Sequence, residues 1–149
     1  MNRVALNSSR GVGLIEVLVT MLLLSTALLT LAALQTRSLQ YNQGAYFRSQ
    51  ANTLSYDVLD RIRANKTDLA NYNVTLSAFS GGGAPTAPLS AVDIYQWRND
   101  VDTRLPKGQG AIACSATTNL CTITIKWSEL NSSGQADEDY TTFTFGSRI

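Results

Sequence analysis

The 149-residue chain carries its apolar residues in three successive patterns. From Val17 to Leu34 it reads VLVTMLLLSTALLTLAAL, 18 consecutive residues without a charge, a glycine or a proline. A run of this length predicts a membrane-spanning helix: at ~1.5 Å per residue it covers about 27 Å, close to the thickness of a hydrocarbon core. Thr20, Ser25, Thr26 and Thr30 are compatible with that setting, because a hydroxyl can bond back to a helical carbonyl.

Beyond Leu34 uniform apolarity gives way to a stripe. Phe47, Ala51, Leu54, Val58 and Ile62 recur at spacings of 4, 3, 4 and 4, which is one face of a helix. Arg48, Asp57, Asp60, Arg61 and Arg63 lie largely off it, and Asp57 with Arg61 forms an i,i+4 acid-to-base pair. No proline occurs between Met1 and Ala84. One helix is therefore expected from Gly13 to about Ala64, ending near Asn65 and Lys66, with Gly44 its one weak point outside the apolar run. Phe79–Pro88, FSGGGAPTAP, reads as a flexible loop. Ser90 with Asp93 three residues on suggests a capped start for a second helix over about Ala91–Arg104. Ile94, Trp97, Val101 and Leu105 form its apolar face, and the Leu105–Gly110 segment stops it with a proline and two glycines.

After Gly110 the period becomes two. Cys121, Ile123, Ile125 and Trp127 alternate with Thr122, Thr124, Lys126 and Ser128, as in a half-buried strand. Thr141, Phe143 and Phe145 alternate with Thr142 and Thr144 in another, with Asn131–Asp139 as a polar loop between them. A further strand is expected over Gly110–Cys114. The sum is an α+β chain, in which a long N-terminal helix packs its striped half on a small antiparallel sheet of three to four strands.

Composition narrows the chemistry. The 12 Lys+Arg and 11 Asp+Glu nearly cancel, which gives no electrostatic reason to expect nucleic acid. With no histidine, every His-based nucleophile, metal ligand or pH switch is excluded, and two cysteines cannot fill a zinc site alone. No phosphate loop, nucleophile elbow or convincing pair of catalytic acids is present, so no enzyme and no cofactor is expected. The mean hydropathy of −0.03 is only the average of an apolar helix and a polar, Thr/Ser/Asn-rich remainder.

Ahead of the apolar run stands MNRVALNSSRG, with Arg3 and Arg10 and no acid. The positive-inside rule holds that end in the cytoplasm and sends the C-terminal body outward. A secretory signal with cleavage near Leu31-Ala32-Ala33 is the plain alternative, but the run is long for that purpose. Glu16 argues further: a carboxylate at the helix centre costs about 2.5–3.5 kcal/mol on insertion scales, less near the edge, and calls for a partner.

Arg10 and Gly11, then Val12, Gly13, Leu14, Ile15 and Glu16, then the apolar run, resemble the class III signal of type IV prepilins. In that family a membrane peptidase cuts after the glycine and methylates the new N-terminus. The resemblance implies cleavage between Gly11 and Val12, N-methylation of Val12, and a role for Glu16 in pairing with a neighbouring subunit's terminal amine during assembly. Val12 and Gly13 depart from the family's usual aromatic and Thr or Ser. The family's frequent proline within the apolar segment is absent. The implied layout is a leader over 1–11, a transmembrane and assembly helix over 12–34, and a periplasmic head over 35–149 that includes the second half of the helix. The implied fold is type IV pilin-like.

Leu54-Ser55-Tyr56-Asp57, Asp60-Arg61-Ile62-Arg63-Ala64-Asn65, and Trp97 followed by Leu105-Pro106, Gly108, Gly110 and Cys114 resemble the PilV family of minor pilins, the type IV pilus modification proteins. So does the strand ending at Trp127. This implies a low-abundance subunit that helps prime pilus assembly at or near the tip. Its partners would be other minor pilins and the major pilin, the prepilin peptidase, the inner-membrane assembly platform, and membrane lipid before assembly. It would reside in the inner membrane and then in the fibre at the cell surface. A minor pseudopilin of type II secretion, or a pilin binding DNA or a surface through Arg61, Arg63 and Lys66, stands as an alternative.

The remaining candidates read more plainly as structure. Cys114 and Cys121, separated by six residues between strand-like segments, should form a structural disulfide outside the cytoplasm, closing a loop for about 2.5 kcal/mol in the chain-entropy treatment. Asp137-Glu138-Asp139 lacks the alternation of a calcium loop, so no metal site is expected. Trp97 and Trp127 fall on apolar faces and read as core. The triplets at Asn65, Asn73 and Asn131 match a glycosylation acceptor only by a common pattern.

Overall fold

A computed structural model describes residues 13–130 and 136–149. Helix α1 spans Leu14–Ala64 and is followed by a 3-10 segment, Lys66–Tyr72. Strand β1 (Val74–Ala78), helix α2 (Leu89–Arg104) and strands β2 (Gln109–Ser115), β3 (Leu120–Leu130) and β4 (Ala136–Arg148) complete the order. The strands form one open antiparallel sheet in the order β1-β2-β3-β4. The chain divides into two compact units after Leu39.

In the second unit the α1 stripe is the base of the core. Ala51, Leu54, Val58, Leu59 and Ile62 are buried, and Phe47 packs at the margin. Ser55 widens the buried face without leaving a polar group unpaired, since its hydroxyl donates to the Ala51 carbonyl at 2.8 Å. The sheet contributes Ile112, Cys121, Ile123, Ile125 and Trp127, and α2 contributes Trp97, Val101 and Leu105. Trp97 is the keystone of α2: its indole N–H donates 3.0 Å to the Leu54 carbonyl of α1, so a fully buried donor is satisfied across the core.

The Leu105–Gly110 segment does more than end a helix. Pro106 offers its carbonyl to the Ser128 amide at 2.9 Å, tying the turn to β3. Gly108 lies against the Val101 carbonyl so closely that a Cβ there would collide with backbone. A Cβ on Gly110 would stand 2.6 Å from the Trp97 ring. The glycines that follow Trp97 in sequence are thus the surface on which α2 rests.

Three local expectations are corrected. Ser90 does not cap α2: the helix starts at Leu89 with Pro88 at the cap position, and Ser90 is buried inside the first turn. Asp93 turns inward to accept from Tyr72. Ser128 does not face outward with Thr122 and Lys126; the β3–β4 register shifts between Ser128 and Leu130, and Ser128 is buried beside Trp127. The polar loop between β3 and β4 is shorter than expected, because β4 already begins at Ala136.

Strand β1 has a one-residue irregularity between Val74 and Ser77 opposite β2. Arg98 of α2 repairs it by donating to the Thr75 and Gly110 carbonyls. Partial burial of that guanidinium lowers its affinity for a proton from the usual arginine range. Asn73 extends the pairing past the start of β1: its side-chain oxygen accepts from the Cys114 amide at 2.6 Å and its NH2 donates to the Cys114 carbonyl at 3.3 Å.

Gly110→Ala is expected to destabilise the head by about 1–3 kcal/mol through overpacking against Trp97. Gly83→Ala, with open space around it, should leave the thermal midpoint unchanged. Paired melts of the full chain in detergent measure both.

Candidate functional site

The first unit is the described part of α1 up to Leu39. Its large apolar side chains from Leu14 to Leu34 are 45–86% exposed, and no residue of its most apolar stretch is buried. It is the one helix among the described residues that is long and apolar enough to cross a membrane. In water such a surface is strongly unfavourable, at roughly 25 cal/mol per Å² of apolar area. It is a surface made for another environment.

The hydroxyls of this helix from Thr20 to Thr36 ask nothing of that environment. Thr20 donates to Val17 (2.9 Å), Ser25 to Met21 (2.6 Å), Thr26 to Leu23 (2.9 Å), Thr30 to Thr26 (2.8 Å) and Thr36 to Ala32 (3.0 Å), each to a backbone carbonyl one turn back. Every hydroxyl between Leu14 and Thr36 is therefore internally satisfied, as a hydrocarbon or protein interior requires.

Glu16 sits in the first turn of α1, with its amide donating to the Gly13 carbonyl at 2.9 Å. It is exposed, and it is the one charged residue from Leu14 to Thr36. The exposed amides of a helix N-terminus favour a carboxylate at this position. Gly11 and Val12, the expected cleavage and methylation positions, lie outside the described residues, as does the leader.

In the second unit Arg61 and Arg63 of α1 are engaged within the chain. Arg61 contacts Asp57 (3.0 Å) through Nε, and Gln96 (2.7 Å) and Asp93 (3.5 Å) through Nη1. Asp93 also accepts a 2.6 Å bond from the Tyr72 hydroxyl, which in turn accepts from Asn65 at 3.4 Å. One network thus joins α1, the 3-10 segment and α2. Arg63 pairs with Asp60 at 2.8 Å and donates to the Ser147 hydroxyl of β4 at 3.0 Å. The basic cluster expected at Arg61, Arg63 and Lys66 is for the most part a fastening between elements. Burial first, and Asp93 second, push the Tyr72 hydroxyl up to about 12.

Cys114 and Cys121 face each other in the β2–β3 register and form a disulfide with Cα atoms 4.1 Å apart. It closes the Ser115–Leu120 turn. Trp97 and Trp127 are both fully buried, so neither stacks a ligand. Asn65 and Asn73 have their side-chain amides committed to internal bonds; Asn131 and the side chains of Asp137, Glu138 and Asp139 lie outside the described residues. Among the described residues no group of three or more acids or cysteines could hold a metal.

Sequence reasoning missed two things here. The Tyr72–Asp93–Arg61 network joins residues up to 32 positions apart and has no periodic signature. The role of Asn73 was equally hidden, because β1 shows almost no buried alternation.

Folding of a chain with a phenol held at about 12 rather than 10 is favoured below pH 10, and that contribution is lost as pH rises through 12. Denaturant titrations of the full chain in detergent should show about 2–3 kcal/mol of stability disappearing over this window. Tyr72→Phe should flatten that slope and cost about 1–3 kcal/mol at neutral pH by removing a donor from Asp93.

Residues 33–87 match a family described as Tt1218-like, Type IV pilin Tt1218. No curated protein and no solved structure matches the chain. The matched stretch begins where the apolar run ends and does not include the leader, Gly11 or Glu16, so it is independent of the prepilin-like signal. With the long helix packed on a four-stranded antiparallel sheet, it supports the type IV pilin superfamily and a pilin subunit. The pilin family is structural rather than enzymatic.

Proposed function

We propose that the chain is a minor pilin of a bacterial type IV pilus, of the PilV kind, that helps prime fibre assembly at or near the tip. The observation that carries this reading is the exposed apolar helix whose hydroxyls are all self-satisfied and whose one charge is Glu16. Such a helix is stored in the inner membrane and later packs among similar helices. The prepilin peptidase removes residues 1–11 and methylates Val12. Glu16 then meets the terminal amine of a neighbouring subunit, which makes a carboxylate tolerable in an apolar bundle. The head, from residue 35 on, faces the periplasm and contacts other minor pilins.

The mechanism is mechanical. The helix exchanges lipid for neighbouring helices while the assembly platform moves the subunit. The internal pairing of Arg61 and Arg63 supports a fastening role over a DNA-binding one. A minor pseudopilin of type II secretion is the second reading, since the same helix serves a secretion piston; affinity capture from membranes separates the two by partner identity.

Purified mature protein is expected to begin at Val12 with a methylated amine, which intact mass and N-terminal fragmentation read directly. A chain starting at Met1 or cut near Ala33 would sink the pilin reading. Glu16→Ala should still be processed but should enter fibres at least tenfold less often, as counted by immunoblot of sheared filaments; unchanged incorporation would remove the charge-pairing role.

A further inference from the structure

Gly44 is the one glycine within α1. A glycine inside a helix lets it open about fivefold more readily than an alanine does, the equivalent of about 1 kcal/mol. Packing does not call for it: a Cβ at Gly44 would meet only the Glu129 carboxylate, at an ordinary contact distance of 3.9 Å. Gly44 stands on the stripe that continues through Phe47 and Ala51, at spacings of 3 and 4. Phe47 packs on the core and Ala51 is buried, so Gly44 is where that stripe ceases to hold the head. The boundary between the two compact units falls shortly before it, after Leu39.

Glu129 of β3 stands over this position. Both carboxylate oxygens lie 3.9 Å from the Cβ site of Gly44, so the carboxylate approaches the helix backbone where no side chain intervenes. The Trp127 indole donates to Oε1 at 3.2 Å from a fully buried ring and keeps the carboxylate there. In the continuous helix the amides at 44–47 are bonded to the carbonyls at 40–43, one turn back. If α1 parts at Gly44, those amides lose their acceptors and become the N-terminus of a shorter helix. A carboxylate suits such an end twice over, as an acceptor for free amides and as a negative charge at the positive end of the helix dipole. The opening lined by Gln40, Gln43, Gly44, Phe47 and Glu129 leaves the carboxylate room to turn toward them.

We infer that α1 carries a latent hinge at Gly44, and that Glu129 is its built-in cap. In the closed state the helix is continuous. In the open state it restarts at Gly44, and Glu129 accepts from the first free amides. The carbonyls at 40–43 turn to water, which reaches this turn because Tyr41, Asn42 and Gln43 are exposed. The buried core is untouched, since its α1 members begin at Ala51. Opening is therefore local and needs far less free energy than unfolding the head. It frees the direction of the helix before Gly44 while the stripe from Phe47 to Ile62 stays packed. On the pilin reading proposed above, the apolar half must seat among neighbouring helices and the head against other heads. A hinge between them lets the two fits be made separately. The hinge itself stands on the surroundings of Gly44; only this use of it rests on that reading.

Hydrogen exchange of the full chain in detergent micelles, followed by mass spectrometry, reads the opening directly. Amides at 44–47 are expected to exchange at least tenfold faster than those at 54–62, on the buried part of α1. Gly44→Ala should slow exchange at 44–47 about fivefold. Glu129→Gln, which keeps an acceptor for Trp127 but removes the charge, should slow it about threefold, because the open state loses its cap. Exchange at 54–62 should be the same in all three chains, which separates a hinge from a change in global stability. Faster exchange at 44–47 in Glu129→Gln overturns the inference, since the carboxylate then braces the closed helix. Exchange at 44–47 that neither substitution alters, or that is as slow as at 54–62, overturns it as well. So does a parallel change at 54–62 in Gly44→Ala. A mature chain that does not begin at Val12 removes the pilin reading and leaves these outcomes unaffected.

Discussion

The apolar stripe on the second half of α1 is the constraint that organises the head. Ala51, Leu54, Val58, Leu59 and Ile62 form an apolar face that is costly to leave in water, and the core residues after Asn65 cover it. The sheet supplies Ile123, Ile125 and Trp127, while α2 supplies Trp97 and Val101. The specificity of that covering comes from a few polar devices. Trp97 finds the Leu54 carbonyl, Arg61 joins α1 to α2, and Arg63 reaches β4. These fix which way α2 and the sheet lie on a face that hydrophobic burial alone would leave poorly specified.

Much of this was legible because period reports burial. The stripe from Phe47 to Ile62 and the alternation from Cys121 to Trp127 both name residues that the structure buries. The apolar run from Val17 names a helix that it leaves fully exposed. The misreadings arise where period carries no information. Strand β1 is almost wholly exposed, so VTLSA shows no alternation, and its place in the sheet depends on Arg98 and Asn73 from other elements. Ser90 and Asp93 fit the spacing of a cap, but spacing does not reveal that Tyr72 needs an acceptor. The LPxGxG-like turn was read as a helix stop, and its glycines prove to be contact surfaces for Val101 and Trp97. At Glu16 the residue type and its setting were plain in the sequence, while the partner proposed for it is a neighbouring subunit's amine.

Charge is used sparingly and inwardly. With basic and acidic residues nearly balanced, the described ion pairs link elements of the head. On the pilin reading proposed above, this suits a surface that meets neighbours without a strong field of its own. It also sets off Glu16, the one charged residue of α1 from Leu14 to Thr36.

The back-bonded hydroxyls of the apolar helix carry one more consequence. Because Thr20, Ser25, Thr26, Thr30 and Thr36 draw their hydrogen bonds from their own backbone, none of their polar contacts must be broken or remade when the medium around the helix is replaced. For these residues the free-energy difference between two apolar media then rests on packing, and Glu16 is left as the one group of that stretch whose charge must be met. A helix built this way is suited to a round trip: it can leave a lipid phase and return to it, with direction set by whatever acts on the head.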